Sequence, residues 1–157
     1  GAIFYIIICY GLLDKELLWP TLNTAVIPLV FAHSIGRIGC FFSGSCYGKP
    51  FSENNFLASF FEVHPTQLYE SVFLFLLGII LFKIERIYPL LLVYYYLISY
   101  GIYRFFIEFL RGDDRGFFYG LSTSQWVSLL IVFPTIGFII YKGGDRSRRR
   151  QADDAPI

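Results

Sequence analysis

The stretch YLISYGIYRFFIEFLRG, residues 96–112, sets a few polar side chains in a segment that is otherwise apolar. Read as an α-helix, it aligns four of them on one face at i, i+4, i+8 and i+11: Tyr100, Arg104, Glu108 and Arg111. An arginine at the centre of a membrane-spanning helix costs about 2.5–3.5 kcal/mol on insertion scales, so it usually faces a bundle interior or an aqueous cavity. The stripe predicts a membrane helix that borders a polar site. A structural alternative is an Arg104–Glu108 pair that only locks the helix.

The composition places the whole chain in a membrane. Hydrophobic residues make up 55% and charged residues 16% of the 157 residues, whereas an average soluble domain has about 25% charged residues. Five apolar segments predict an all-α, polytopic helical bundle with about five transmembrane segments: Ala2–Leu13, Leu22–Ile35, Leu68–Phe82, Leu90–Leu110 and Trp126–Tyr141. We expect the lipid bilayer to surround the helices, and we expect no nucleic-acid partner.

Charged residues predict the boundaries and the orientation. Residues 1–141 form the expected transmembrane core, and the polar, basic segment 142–157 is the expected disordered cytoplasmic tail. Because cytoplasmic loops carry an excess of Lys and Arg, this orientation places eight of the 13 basic residues inside. The other five, which lie near the predicted outer side, need a shared explanation: Arg37, Lys49, Arg104, Arg111 and Arg115.

A second polar stretch, HSIGRIGCFFSGSCYGKP at residues 33–50, supplies Arg37 among glycines. Gly36, Gly39, Gly44 and Gly48 permit close backbone approach and unusual dihedral angles, although small residues also serve helix packing in membranes. The guanidinium group matches phosphate oxygens. Two arginines from separate segments therefore indicate an anionic phosphate ligand, and in a membrane this is most simply a phospholipid.

A third stretch, VHPTQLYES at residues 63–71, predicts a helix that begins near Thr66, since proline is compatible with a helix start. Gln67 and Glu70 then lie in its first two turns, and the arginines could supply the partner that Glu70 needs. His64 is a candidate general base, because histidine exchanges protons near neutral pH. Its structural alternative is a hydrogen bond at a helix end.

Cysteine and aspartate give weaker signals. Cys9 fits a small core residue, while Cys40 and Cys46 could form a disulfide if their loop faced an oxidising space. Asp113 and Asp114 make a poor metal site without further acidic neighbours, so no metal and no cofactor are expected.

Near the start of the last helix, we expect Ser122 or Ser124 as the cap and Trp126 as an interfacial anchor.

Taken together, the stretches GRIGCFFSGSCYG, HPTQLYE, YGIYRFFIEFLRGDD and LSTSQWVSL resemble the prolipoprotein diacylglyceryl transferase family of the bacterial inner membrane. That family has a GRxGNFxNxExxG signature, an HPxQLYE box and a YGxxRFxxEFxRxPD helix. The matches run in order from Gly36 to Gln125.

The resemblance implies transfer of the diacylglyceryl group of phosphatidylglycerol to the lipobox cysteine thiol of a prolipoprotein, with release of glycerol phosphate. It implies that Arg37 and Arg104 hold the phosphate. The remaining expected catalytic and substrate-binding residues lie within these motifs, and all but Cys40 match or flank the family pattern: Tyr100, His64, Gly36, Gly39, Cys40, Gly48, Gln67, Glu70, Glu108 and Arg111.

The chain departs from the family pattern in two ways. Cys40 and Ser43 replace two signature asparagines, and Ser45 replaces the glutamate. The family fold has seven helices, of which this chain resembles the last five, and the early tyrosine and the HGG or YGG loop have no counterpart, so we expect an N-terminal truncation. Two other functions stay open: a non-catalytic phospholipid-binding relative, and a transporter or channel lined by Arg104 and Glu108.

Overall fold

The computed structural model describes residues 15–51, 56–112 and 117–153. Side chains are described within 17–51, 56–112 and 119–141. The elements in this part of the chain are α1 (Lys15–Phe42), α2 (Thr66–Ile84), α3 (Leu92–Ile107) with a 3-10 turn at Glu108–Leu110, a hairpin of β1 (Phe117–Phe118) and β2 (Leu121–Ser122), and α4 (Thr123–Asp153). The all-helical expectation therefore holds apart from this two-residue hairpin.

Helix α1 is longer than the segment Leu22–Ile35 that the sequence predicts. It continues through Gly36 and Gly39 to Phe42, so the first part of the glycine-rich stretch is helix and not loop. A Cβ built on either glycine would meet nothing within 4 Å. A helix satisfies its own backbone hydrogen bonds, which is the strongest constraint in an apolar environment, and two glycines with open surroundings do not interrupt it.

Helix α2 begins at Thr66, with Pro65 as its N-cap residue, which confirms the predicted start. It packs mainly against α1, and α3 packs mainly against α4. The core lies between the first three helices and consists of fully or largely buried aliphatic side chains: Val26, Val30, Leu74, Leu77, Leu81 and Leu92.

Two side chains of α1 hold the start of α3. Asn23, which is fully buried, accepts a hydrogen bond from the Val93 N–H at 3.2 Å, and the Trp19 indole donates to the Leu90 carbonyl at 3.2 Å. The first N–H groups of a helix have no partner within it, so Asn23 satisfies one of them from a neighbouring helix.

Helix α4 begins with a capping box. The Gln125 N–H donates to Ser122 Oγ at 3.3 Å, and the Ser122 N–H donates to Gln125 Oε1 at 2.9 Å. This reciprocal pair satisfies two backbone donors and confirms Ser122 as the cap. The helix is described as far as Asp153, and a disordered cytoplasmic tail over residues 142–157 stays a prediction.

Among the described residues, three helical stretches are long and apolar enough to cross a membrane: Leu17–Phe42, Thr66–Ile84 and Thr123–Tyr141. Helix α3 has only 16 residues, short of the roughly 20 that a spanning helix needs. The predicted segment Ala2–Leu13 lies outside the described residues, and five spans are therefore not shown. Large apolar side chains such as Leu130, Phe133 and Ile140 are each more than two-thirds exposed, as expected for helices that face lipid.

Candidate functional site

Arg37, Glu70 and Tyr100 meet at one carboxylate oxygen. Arg37 Nη2 lies 2.8 Å from Glu70 Oε1, and the Tyr100 hydroxyl donates to the same oxygen at 2.7 Å. Arg37 Nη2 is also 3.4 Å from Tyr100 Oη. The Glu70 side chain is 1% exposed and that of Arg37 is 17% exposed. The three residues come from α1, α2 and α3, so the site joins all three helices.

A histidine that sequence reasoning did not select borders this group. His33 Nδ1 lies 3.2 Å from the Tyr96 hydroxyl, and its ring packs edge-on against Tyr100 at a centroid distance of 5.0 Å. Tyr96 stacks on Tyr100. His33 precedes Arg37 by four residues, so the i, i+4 spacing on α1 was the available signal.

Arg104 belongs to a second charged group at the end of α3. Its Nη2 lies 3.1 Å from Glu108 Oε2 and donates to Ser124 Oγ of α4 at 3.1 Å. Arg111 Nε lies 3.9 Å from the same Glu108 oxygen. All three charged side chains are at most one-tenth exposed, which confirms that the predicted polar stripe faces inward. The Arg104–Glu108 contact is an ion pair by distance, without the geometry of a hydrogen bond.

The first residues of α2 bind the part of the glycine-rich stretch that follows α1 through two hydrogen bonds. Gln67 Nε2 donates to the Ser45 carbonyl at 2.6 Å, and Thr66 Oγ1 donates to the Cys46 carbonyl at 2.9 Å. Gly48 pairs with His64 on one side and with Arg111 on the other. Gly48 is therefore the predicted glycine at which the backbone approach is close: a Cβ there would lie 2.6 Å from His64 and 2.7 Å from the Leu110 carbonyl.

His64 is placed apart from the arginine contacts just described. Its ring lies 3.9 Å from that of Phe51 by centroids, and Nδ1 is 3.5 Å from the Tyr69 hydroxyl. Cys40 is in α1, Cys46 follows it, and neither forms a disulfide within the part of the chain that the structure describes. Cys9, Asp113 and Asp114 lie outside the described residues.

Several buried polar atoms of the two charged groups have no hydrogen-bond partner among the residues that the structure describes. Arg37 Nε and Arg104 Nη1 are donors of this kind, Tyr103 Oη is a third, and Glu70 Oε2 is an acceptor. A buried unsatisfied polar group is costly and rare in folded proteins. An anionic ligand would satisfy the three donors, whereas the other atoms of this kind, Glu70 Oε2, Glu108 Oε2 and Gln67 Oε1, are acceptors.

A cavity of about 260 Å³ opens between α3 and α4 beside Arg104. Its lining combines the polar side chains of Tyr100, Arg104 and Ser124 with apolar side chains that include Leu97 and Ile131. This combination suits an amphipathic molecule, in which a charged group and a hydrocarbon chain are joined.

Comparisons with known proteins agree with these observations. The sequence model of the family described as prolipoprotein diacylglyceryl transferase matches residues 1–141. A phosphatidylglycerol–prolipoprotein diacylglyceryl transferase of Clostridium tetani is 39% identical over 96% of this chain and 64% of its own length. The corresponding protein of Streptococcus sanguinis is 37% identical over 90% of this chain and 60% of its own length. No solved structure matches the chain.

The chain thus spans about 60% of the length of these relatives. The family model covers nine-tenths of the chain, including all the motifs described above. The candidate membrane spans of the chain agree with membership of a membrane-bound family. The chain belongs to the prolipoprotein diacylglyceryl transferase family.

Proposed function

We propose that the intact protein carrying this chain transfers the diacylglyceryl group of phosphatidylglycerol to the cysteine thiol of a prolipoprotein lipobox. The observation that carries the proposal is a pair of arginines, the partly buried Arg37 and the buried Arg104, each with one buried guanidinium nitrogen that donates to no described residue. The relatives' names state the same transfer. We place the protein in the bacterial inner membrane, with its C-terminus in the cytoplasm.

The reaction balances as a substitution at carbon. The thiolate sulfur forms a bond to the diacylglycerol carbon that carries the phosphate, the bond between this carbon and the phosphate oxygen breaks, and glycerol phosphate leaves with the electron pair. Negative charge grows on the leaving phosphate, and preorganised arginines in a site shielded from water stabilise it. Arg37 and Arg104 provide this charge, while Glu70 and Glu108 hold the two guanidinium groups in place.

The thiol loses its proton, because the thiolate is the nucleophile. His64 is the base assigned from the sequence. The remaining members of the proposed site frame the head group. Tyr100 and Glu70 lie beside Arg37, and Arg111 and Glu108 lie beside Arg104. The other members are Gly36, Gly39 and Cys40 in α1, Gly48 in the connection that follows, and Gln67 in the first turn of α2.

Conversion of phosphatidylglycerol and a lipobox peptide to diacylglyceryl peptide by the intact protein in detergent tests the proposal. We expect Arg37→Ala and Arg104→Ala each to lower the rate by a factor of about 100 or more, the usual loss of one transition-state donor. Arg86→Ala is the matched control, because Arg86 is exposed at the end of α2. Full activity in both site variants would contradict the proposal.

Two other outcomes would replace it. Binding of phosphatidylglycerol without turnover would indicate the non-catalytic phospholipid-binding relative, which the substitutions at Cys40, Ser43 and Ser45 make a specific alternative. Solute flux across liposomes that depends on Arg104 and Glu108 would indicate a transporter.

A further inference from the structure

Tyr103 presents a buried phenol that neither the matched motifs nor the proposed mechanism uses. It occupies a variable position of the YGxxRF pattern, directly before Arg104. Its hydroxyl is buried and has no hydrogen-bond partner within the described part of the chain. A buried hydroxyl without a hydrogen-bond partner lowers the folding stability by about 1–3 kcal/mol. A ligand that accepts its hydrogen bond would remove this penalty.

The ring of Tyr103 is held in one orientation by α2. It stacks on Phe73 with a centroid distance of 4.1 Å and an interplanar angle of 10°. Phe73 follows Glu70 by three residues on α2, and Tyr103 follows Tyr100 by three residues on α3, so both pairs lie on the same faces as the Glu70–Tyr100 hydrogen bond. The stacking therefore fixes the phenol next to the first charged group.

The phenol is close enough to both arginines to feel their charges. The charges of Glu70, Arg37 and Arg104 all act on it, although these side chains belong to two separate ion pairs. Those pairs have two spare donors, Arg37 Nε and Arg104 Nη1, and two spare carboxylate oxygens, Glu70 Oε2 and Glu108 Oε2. The Tyr103 hydroxyl, Arg37 Nε and Arg104 Nη1 can each donate a hydrogen bond to an anionic oxygen.

We propose that Tyr103 is a third head-group ligand, which donates its phenolic hydrogen to a phosphate oxygen of the lipid that Arg37 and Arg104 hold. The inference rests on the proposed function and adds a binding residue to it. No covalent step passes through the phenol; it stays protonated and hydrogen-bonded while the phosphate gains charge.

Tyr103→Phe tests this directly, because it keeps the ring that stacks on Phe73 and removes only the hydroxyl. A hydrogen bond to a charged group corresponds to a loss of about 10-fold to 100-fold. We expect this loss in kcat/KM for phosphatidylglycerol, with a rise of similar size in the inhibition constant of glycerol phosphate. The melting temperature should stay equal or rise, since the variant removes an unsatisfied buried donor.

Tyr95→Phe is the matched control. Tyr95 lies on the same helix with 36% of its surface exposed, and its variant should match the wild type in all three measurements. A Tyr103→Phe protein whose kcat/KM and inhibition constant stay within about twofold of the wild type would overturn the inference. So would a lower melting temperature with an unchanged inhibition constant, which would show that the hydroxyl has a protein partner.

The same experiment separates this inference from the proposed function. Phosphatidylglycerol binding measured by native mass spectrometry provides a readout that needs no turnover. A wild type that binds the lipid without transferring it removes the proposed activity and leaves Tyr103 tested by the dissociation constant. A wild type that binds neither phosphatidylglycerol nor glycerol phosphate overturns both.

Discussion

Tyr100 and Arg37 share one oxygen of Glu70. The tyrosine hydroxyl lies 2.7 Å and the guanidinium Nη2 lies 2.8 Å from Glu70 Oε1, while Oε2 of the same carboxylate has no hydrogen-bond partner among the described side chains. Both contacts of the carboxylate are therefore made by Oε1, and the buried Oε2 makes none with a described side chain. This asymmetry holds Arg37 through one nitrogen and leaves its Nε free for a ligand.

Removing both partners of the Arg37–Glu70 pair should destabilise the protein by less than the sum of the two single removals. Arg37→Ala or Glu70→Ala alone leaves a buried charge without its counterion, which costs about 3–5 kcal/mol. The double variant should lose clearly less than the sum of the two. Thermal unfolding in detergent of the wild type, both single variants and the double variant measures this coupling. Additive losses would contradict a direct pair.

Tyr100→Phe should lower both stability and activity. It removes the hydrogen bond to Glu70 Oε1, and a hydrogen bond to a charged group contributes about 1.5–3 kcal/mol. Thermal unfolding and transfer kinetics would report the two effects, with Tyr95→Phe as control. The contrast with Tyr103→Phe is specific, because that variant should lose activity without losing stability. Equal behaviour of Tyr100→Phe and Tyr103→Phe would contradict the different partners of their hydroxyls.

Gly48→Ala should destabilise the connection between α1 and α2. The added Cβ would lie 2.6 Å from the His64 carbonyl oxygen and 2.7 Å from that of Leu110, so backbone on both sides would have to move. We expect a loss of about 1–3 kcal/mol, as for overpacking, measured by thermal unfolding. Gly137→Ala is the control, because nothing lies within 4 Å of its added Cβ. A Gly48→Ala protein as stable as the control would contradict the close approach.

The capping box at the start of α4 gives a further stability prediction. Ser122→Ala removes the acceptor of the Gln125 N–H, and loss of such a cap costs about 1 kcal/mol. Ser59→Ala is the control, since Ser59 is exposed and bonds only a nearby carbonyl. Hydrogen exchange at the first turn of α4 should accelerate in Ser122→Ala and stay unchanged in the control. Unchanged exchange in both would show that the box does not hold the helix start.

The two histidines give a test of the proton acceptor. With His64 as the base, His64→Gln should flatten the acid limb of the pH dependence of kcat/KM, because the limb reports protonation of the essential base. His33→Gln is the comparison, because His33 contacts Tyr96 and Tyr100; it should lower activity without flattening the profile. A profile that flattens only in His33→Gln would assign the proton transfer to His33 and contradict the role of His64.

Local sequence signals predicted the helices and the inward polar face. Pro65 marked the start of α2, the i, i+4 and i+8 spacing placed Arg104 and Glu108 together, and Ser122 capped α4. These features depend on neighbours within a few residues, so their physics is visible in the sequence.

Other features depend on which helices pack together, and the sequence could not specify them. The glycines at 36 and 39 read equally as loop or helix, and the structure has helix there. His33 entered the site because α1 packs beside Tyr96 and Tyr100 of α3. The Gly48 crossing requires the His64 and Leu110 backbones to meet on either side of one residue, an arrangement with no local signal.

The central claim is that Arg37 and Arg104 hold one lipid phosphate between them. A cryo-electron microscopy structure of the intact protein with phosphatidylglycerol bound tests it most directly. We predict phosphate oxygens within about 2.7–3.2 Å of Arg37 Nε and Arg104 Nη1, with the acyl chains leaving toward the membrane. A phosphate bound away from both guanidinium groups, or by one of them alone, would contradict the claim.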